Sequence, residues 1–300
     1  MKEMNSEAIH SSLNIGSKVR DYLKLIKVSL SIMVVFSCII SFLMAPDVVG
    51  FDWTSILLLF AGGMLVTGSA NAINQIVEKD TDAIMQRTAM RPVAAGRMSE
   101  NEAWSFAVIT GAAGVFLLGY YFNWLSAGLS ALSLFLYAFI YTPLKKVSAI
   151  SVIIGAVPGA MPCLIGWAAG QNHLGAGGWS LFAIQFLWQF PHFWAIAWIA
   201  HKDYASAGFR LLPGEKDPTK YTALQAIIYS VLLVPAGFLP YITGISGAVS
   251  VWVVLAANLF MVAQCVKLYR QMKTGAARSV MFSSYIYLPV VLLALLADKV

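Results

Sequence analysis

Asn74, Glu78 and Asp82 fall at every fourth position between Gly68 and Pro92, and Arg87 and Arg91 repeat that spacing just after them. On a helix each step of four drifts by about 40°, so the three oxygen-bearing side chains share one stripe. Carboxylate and amide oxygens suit Mg²⁺, a hard ion that keeps some waters and binds through one or two carboxylates plus a substrate phosphate. The planar forks of Arg87 and Arg91 match phosphate oxygens. Acids beside arginines therefore suit a metal diphosphate, with Lys145 as a further cation. The same residues could instead form a solvated helix at a membrane surface, its charges paired at four-residue spacing. Asp80, half a turn round, is expected to face elsewhere.

The elements that must carry these groups are apolar. The 300 residues are 59% hydrophobic and 11% charged, whereas soluble domains carry about a quarter charged residues. Nine stretches, 25–45, 54–73, 104–122, 124–142, 149–169, 179–200, 222–242, 247–266 and 280–297, are each long enough to cross a hydrocarbon core of roughly 30 Å. The expected fold is an all-α integral membrane protein of about nine transmembrane helices around a central cavity open to the cytoplasmic side. Lys2, Lys18, Arg20, Lys24 and Lys27 precede or begin the first stretch, and the other bases follow the second, fourth, sixth and eighth. Only Lys299 of the 20 lies opposite, which predicts a cytoplasmic N-terminus and an outer C-terminus. The net charge of +6 is accounted for by orientation and anionic lipid, without nucleic acid.

A cytoplasmic tail over 1–24 is expected to lead into a single domain over 25–300, with polar loops at 74–103 and 201–221. These loops lie four spans apart, so two like-oriented four-helix halves with a ninth helix appended would bring both to one mouth. Glu3, Glu7 and Asp21 fit neither a secretory signal nor an organellar transit peptide, and a bacterial cytoplasmic (inner) membrane is expected. Cys38, Cys163 and Cys265 sit within apolar stretches with no close-spaced partner, which suggests neither disulfides nor a thiolate metal site.

The Asn74, Glu78, Asp82 motif at the end of the second span resembles the first acidic motif of the UbiA-type intramembrane prenyltransferases. Met85 to Pro92, Tyr141 to Trp167, and Trp188-Gln-Phe-Pro191-His192-Phe193-Trp194 with Lys202-Asp203-Tyr204 are similar to the haem-modifying branch, the protohaem farnesyltransferases. The resemblance runs from about residue 25 to the C-terminus. It implies Mg²⁺ as cofactor, and transfer of a farnesyl group from farnesyl diphosphate to a vinyl group of haem B, with addition of water, to give haem O. It further implies metal and catalytic roles for Asn74, Glu78, Asp82 and Asp203, and diphosphate contacts for Arg87, Arg91, Lys145, Lys202 and Tyr204. Contact with a downstream haem O-oxidising enzyme or terminal oxidase assembly would follow.

Two features depart from the wider family or stay open. Many members carry a second pair of Asp four apart, whereas Ile199 stands four residues before Asp203, so Asp203 either binds one metal ion or orients Lys202. His192, an ionisable residue inside a span, is costly there and points to function: it ligates haem iron, bonds a propionate, or packs beside the Pro191 kink. Among other readings, a prenyltransferase of a quinone precursor shares the acidic motif. A secondary transporter or haem carrier would place its acids at the midplane instead.

Overall fold

Asp52 begins the second long helix by accepting hydrogen bonds from the Thr54 and Ser55 amides, and Ser99, Asn123 and Thr219 cap three more helices in the same way. The computed structural model describes residues 15–214 and 217–300. Residues 1–14 of the expected tail, Lys2 among them, and Lys216 lie outside these. The described chain forms α1 (Ile15–Leu25), α2 (Val28–Met44), α3 (Trp53–Val77), α4 (Lys79–Ile84), α5 (Glu100–Tyr121) and α6 (Trp124–Phe135). A π-helical turn at Leu136–Tyr141 and α7 (Thr142–Leu144) continue α6; α8 (Ser151–Gln171), α9 (Ala176–Ile199), α10 (His201–Ser206), α11 (Lys220–Ile242), α12 (Ala248–Gln271) and α13 (Thr274–Ala297) follow. Apart from one bridge between Ser246 and Lys299, the described residues contain no extended pairing.

Among the described residues seven helices, α3, α5, α6 through α7, α8, α11, α12 and α13, are long and apolar enough to cross a membrane. The α1–α2 pair, bent by 50°, makes an eighth if counted as one span. The 24-residue α9 matches them in length but carries Gln185, Gln189 and His192, which lower its hydropathy. Those polar groups face protein: Gln185 and Gln189 donate to the Gly159 and Ala156 carbonyls of α8. In α8 itself, Pro162 leaves the Pro158 carbonyl without its helical donor, and the Ser133 hydroxyl supplies one at 3.2 Å.

Helices α2, α3, α5 and α6 pack as one group and α8, α9, α11 and α12 as another, joined through α8 against α2 and α6, with α13 laid on α9, α12 and α2. At Gly166 a β-carbon would strike the Cys38 carbonyl of α2, so glycine there permits backbone-to-backbone approach. The three cysteines are free and buried. At the end away from the acidic motif, the Lys299 ammonium donates to the Leu43, Ala45 and Val48 carbonyls at 2.7 to 2.8 Å. Lys299 thus ties the segment after α13 to the negative end of the α2 dipole.

Candidate active site

The α3 helix breaks at Glu78 (φ −96°, ψ 8°), yet the ladder runs on. The Glu78 amide donates to the Asn74 carbonyl at 3.0 Å and the Asp82 amide to the Glu78 carbonyl at 2.7 Å. Asn74, Glu78 and Asp82 therefore stay on one stripe and are all buried, whereas Asp80 is exposed. Each of the three is met by a cation from elsewhere. Lys145 donates to Glu78 at 2.7 Å, Arg91 donates to both Asp82 oxygens at 2.8 and 2.6 Å, and Lys27 donates to the Asn74 amide oxygen at 3.0 Å. Burial pushes the Asp82 carboxyl above the usual carboxylate range, with the Arg91 guanidinium opposing it.

The second polar loop reaches the same place. Arg87 donates to the Tyr204 hydroxyl at 2.6 Å and lies over its ring at 5.0 Å. The Arg210 amide donates to the Lys145 carbonyl at 2.8 Å, and the Lys145 ammonium sits over the rings of Tyr141 and Phe209. Tyr141 ends the π-helical turn, a local widening that frequently marks functional sites. Loops 117 residues apart in sequence thus meet over the acidic stripe.

Asp203 and Lys202 are not joined to this cluster by any hydrogen bond or ion pair among the described residues. Nor do three or more His, Cys, Asp or Glu side chains converge there to hold a metal. The donor set near the cations is two carboxylates and the Asn74 amide, all oxygen. That fits a hard divalent ion whose remaining positions go to water and phosphate.

Lys27 is the member that sequence reasoning missed as a site residue, because a lysine at the start of a span reads as topogenic. The available signal was the amide-rich face of α3. Asn71 donates to the Ile26 carbonyl, and Gln75 donates to those of Lys24 and Leu25. These amides satisfy carbonyls exposed by the α1–α2 break and hold its backbone against α3.

Deeper than Asn74, an apolar cavity of about 110 Å³ lies between α2, α3, α6 and α8, with Asn71, Tyr137 and Gly159 towards the acidic stripe and Leu59 and Leu118 among its other walls. His192 lies elsewhere, between α9 and α13. It stacks on Trp188 with ring centroids 4.9 Å apart and meets Tyr285 edge-on. The Ser284 hydroxyl donates its one proton to the Met281 carbonyl at 2.6 Å, so it accepts from His192 Nδ1–H at 2.7 Å. His192 Nε2 is left with the lone pair.

The sequence matches the model of the UbiA prenyltransferase family over residues 34–287. A protoheme IX farnesyltransferase of Cytophaga hutchinsonii is 42% identical over 285 residues, covering 95% of this chain and 99% of that one. The mitochondrial protoheme IX farnesyltransferase of Arabidopsis thaliana is 35% identical over 284 residues, 94% of this chain and 65% of that one. Among solved structures, a digeranylgeranylglyceryl phosphate synthase superposes with a TM-score of 0.76 at 25% identity, over 94% and 98% of the two chains. A UbiA homologue of Archaeoglobus fulgidus, bound to GPP and Mg²⁺, shares the fold with a TM-score of 0.64 at 14% identity, over 92% and 99%. With a buried acidic stripe, a ring of cations and an all-helical membrane fold behind that match, the chain belongs to the UbiA prenyltransferase family.

Proposed function

We infer that this protein transfers the farnesyl group of farnesyl diphosphate to a vinyl group of protohaem, with addition of water, giving haem O and diphosphate. The observation that carries the reading is the meeting of Asn74, Glu78 and Asp82 with Lys27, Arg91 and Lys145 beside an apolar cavity. It is joined to relatives named for that reaction along nearly the whole chain.

The site would hold Mg²⁺ through Asn74, Glu78 and Asp82, where the ion would neutralise charge on the diphosphate; Asp203, which stands apart from this stripe, would join as a ligand only if the second loop closed on it. Lys145 and Arg91, freed from their carboxylates, turn to the diphosphate oxygens together with Arg87, Lys202 and Tyr204. These groups stabilise negative charge as the allylic C–O bond breaks, an effect strengthened by burial. The apolar cavity, about 110 Å³ and so too small for all fifteen carbons as it stands, would take the first part of the isoprenoid chain and limit access of water to the developing allylic cation. The terminal vinyl carbon of haem forms the new C–C bond; water captures the resulting cation beside the porphyrin and loses a proton. His192 contacts the haem through Nε2.

The spans number nine once α9 is counted, its polar groups being paired with α8 and α13. The acidic stripe faces the cytoplasm, because the described basic residues other than Lys299 gather on its side. The membrane is a bacterial inner membrane, and the lipid-soluble product passes by contact to a haem O-oxidising enzyme or oxidase assembly.

The test is diphosphate release from farnesyl diphosphate by purified protein with Mg²⁺, comparing haem B with hydroxylated aromatic acids as acceptors. Release that requires haem supports the reading. Release that requires an aromatic acid instead, with haem inert, moves the protein to quinone-precursor chemistry.

A further inference from the structure

Lys27 occupies a conformation that a lysine rarely adopts. It follows α1 in the left-handed region, with φ 50° and ψ 59°, a place where glycine or asparagine ordinarily ends a helix. A side chain there is strained, and such strain is retained where surrounding structure imposes it, often at functional sites. Here the imposing structure is Asn71 and Gln75, which grip the carbonyls of Lys24, Leu25 and Ile26. Ser31 adds a bond from its hydroxyl to the Ile26 carbonyl.

The direction of the side chain is the second observation. Lysines at the ends of membrane helices turn their ammonium outward to water and headgroups. Lys27 turns inward, to the oxygen of the buried Asn74. Arg91 and Lys145 each hold a carboxylate within 4 Å, whereas Lys27 has none among the described residues. Three basic side chains therefore face two carboxylates and one amide, and among the described residues Lys27 is the one of the three whose nitrogen meets a neutral acceptor. A prenyl diphosphate chelating one divalent ion keeps a net negative charge, which a basic nitrogen so placed can meet.

We propose that Lys27 is a third diphosphate-binding cation, turned into the site by the left-handed break between α1 and α2 and parked on Asn74 until a prenyl diphosphate arrives. This rests on the prenyl-diphosphate reading of the site. Were Asn74 to hold a divalent ion through its oxygen, that oxygen would no longer accept from Lys27, and the Lys27 nitrogen would be free for the phosphate oxygens. The α1–α2 break thereby acts as the device that delivers a lysine across the membrane surface to chemistry on α3.

The probe is farnesyl S-thiolodiphosphate with Mg²⁺, its binding to detergent-purified protein measured by calorimetry without haem. Lys27→Gly and Lys27→Asn both accept the left-handed backbone while removing the ammonium, and Lys27→Arg retains a cation. The expected result is a loss of affinity of about tenfold or more in both neutral variants, with most of it recovered in Lys27→Arg. Binding should also depend less steeply on salt in the neutral variants, a change that a purely structural role does not produce. Wild-type protein that binds the probe no more tightly than either folded neutral variant overturns the role of Lys27 alone. Wild-type protein that binds no prenyl diphosphate overturns the reading of the site itself.

Discussion

The Glu78 carboxylate accepts a hydrogen bond from the Lys145 ammonium at 2.7 Å, across 67 positions of sequence, with both side chains nearly covered. This pair closes the acidic stripe against the loop after α7. Removing one partner strands a buried charge, which costs roughly 3 kcal/mol or more. Glu78→Gln and Lys145→Met should therefore each lower the melting temperature in detergent by several degrees, while the double variant recovers most of the loss. All three should lack transferase activity. Additive losses in thermal melts of the double variant would mean that the two residues do not act as a pair.

Arg91 grips both oxygens of Asp82, whereas Arg87 bonds the Tyr204 hydroxyl from the second loop. Tyr204→Phe removes that hydroxyl but keeps the ring under the guanidinium, so steady-state kinetics should show KM for farnesyl diphosphate rising by a few-fold, in line with about 1 kcal/mol for one hydrogen bond. Arg87→Ala should raise it more, and Arg91→Ala should reduce kcat/KM by more than about a hundredfold, because it also leaves Asp82 buried without a counter-charge. Equal effects of Tyr204→Phe and Arg91→Ala would contradict this ranking.

Chelation tests the oxygen donor set. Exhaustive EDTA treatment should abolish turnover, and Mg²⁺ should restore it in the wild type but not in Asp82→Ala. Full activity after chelation, with metal content verified by mass spectrometry, would remove the metal from the account.

The Nδ1 proton of His192 is fixed by Ser284, itself committed to the Met281 carbonyl. If Nε2 meets haem, Ser284→Ala should weaken haem binding by about tenfold through loss of this orienting bond, and His192→Ala by more. Haem titrations followed in the Soret band check this, and unchanged affinity in both variants would leave His192 as a packing residue.

What could be read from the sequence, and what could not, follows from how local each feature is. The Asn74, Glu78, Asp82 stripe was legible because four-residue spacing survives even the break at Glu78. The apolar spans were legible as runs, but α9 is bounded by tertiary pairing: its Gln185 and Gln189 make sense only against the carbonyls of α8. The Arg87 to Tyr204 contact joins loops 117 residues apart, and only the idea of two like halves hinted at it. Lys27 looked like a charge that sets topology, and Lys299 like the one exception to the rule. A left-handed backbone turns one inward, and the end of α2 captures the other, neither of which has a local signature.

That second capture is itself testable. Lys299→Met removes three charge-assisted bonds to carbonyls of α2 and the loop after it, and should lower stability by about 1.5 to 3 kcal/mol. The catalytic end should be untouched, so kcat at low temperature should stay within about twofold of wild type. A large loss of activity in protein whose melting temperature is unchanged would contradict a purely structural clasp.

The central claim is tested most directly by mass spectrometry of haem extracted after incubating purified protein with haem B, farnesyl diphosphate and Mg²⁺ in heavy-oxygen water, beside Asp82→Ala. The account predicts haem that has gained one farnesyl group and one labelled water oxygen with the wild type, and unmodified haem with Asp82→Ala. Unmodified haem from wild-type protein that binds farnesyl diphosphate would contradict it.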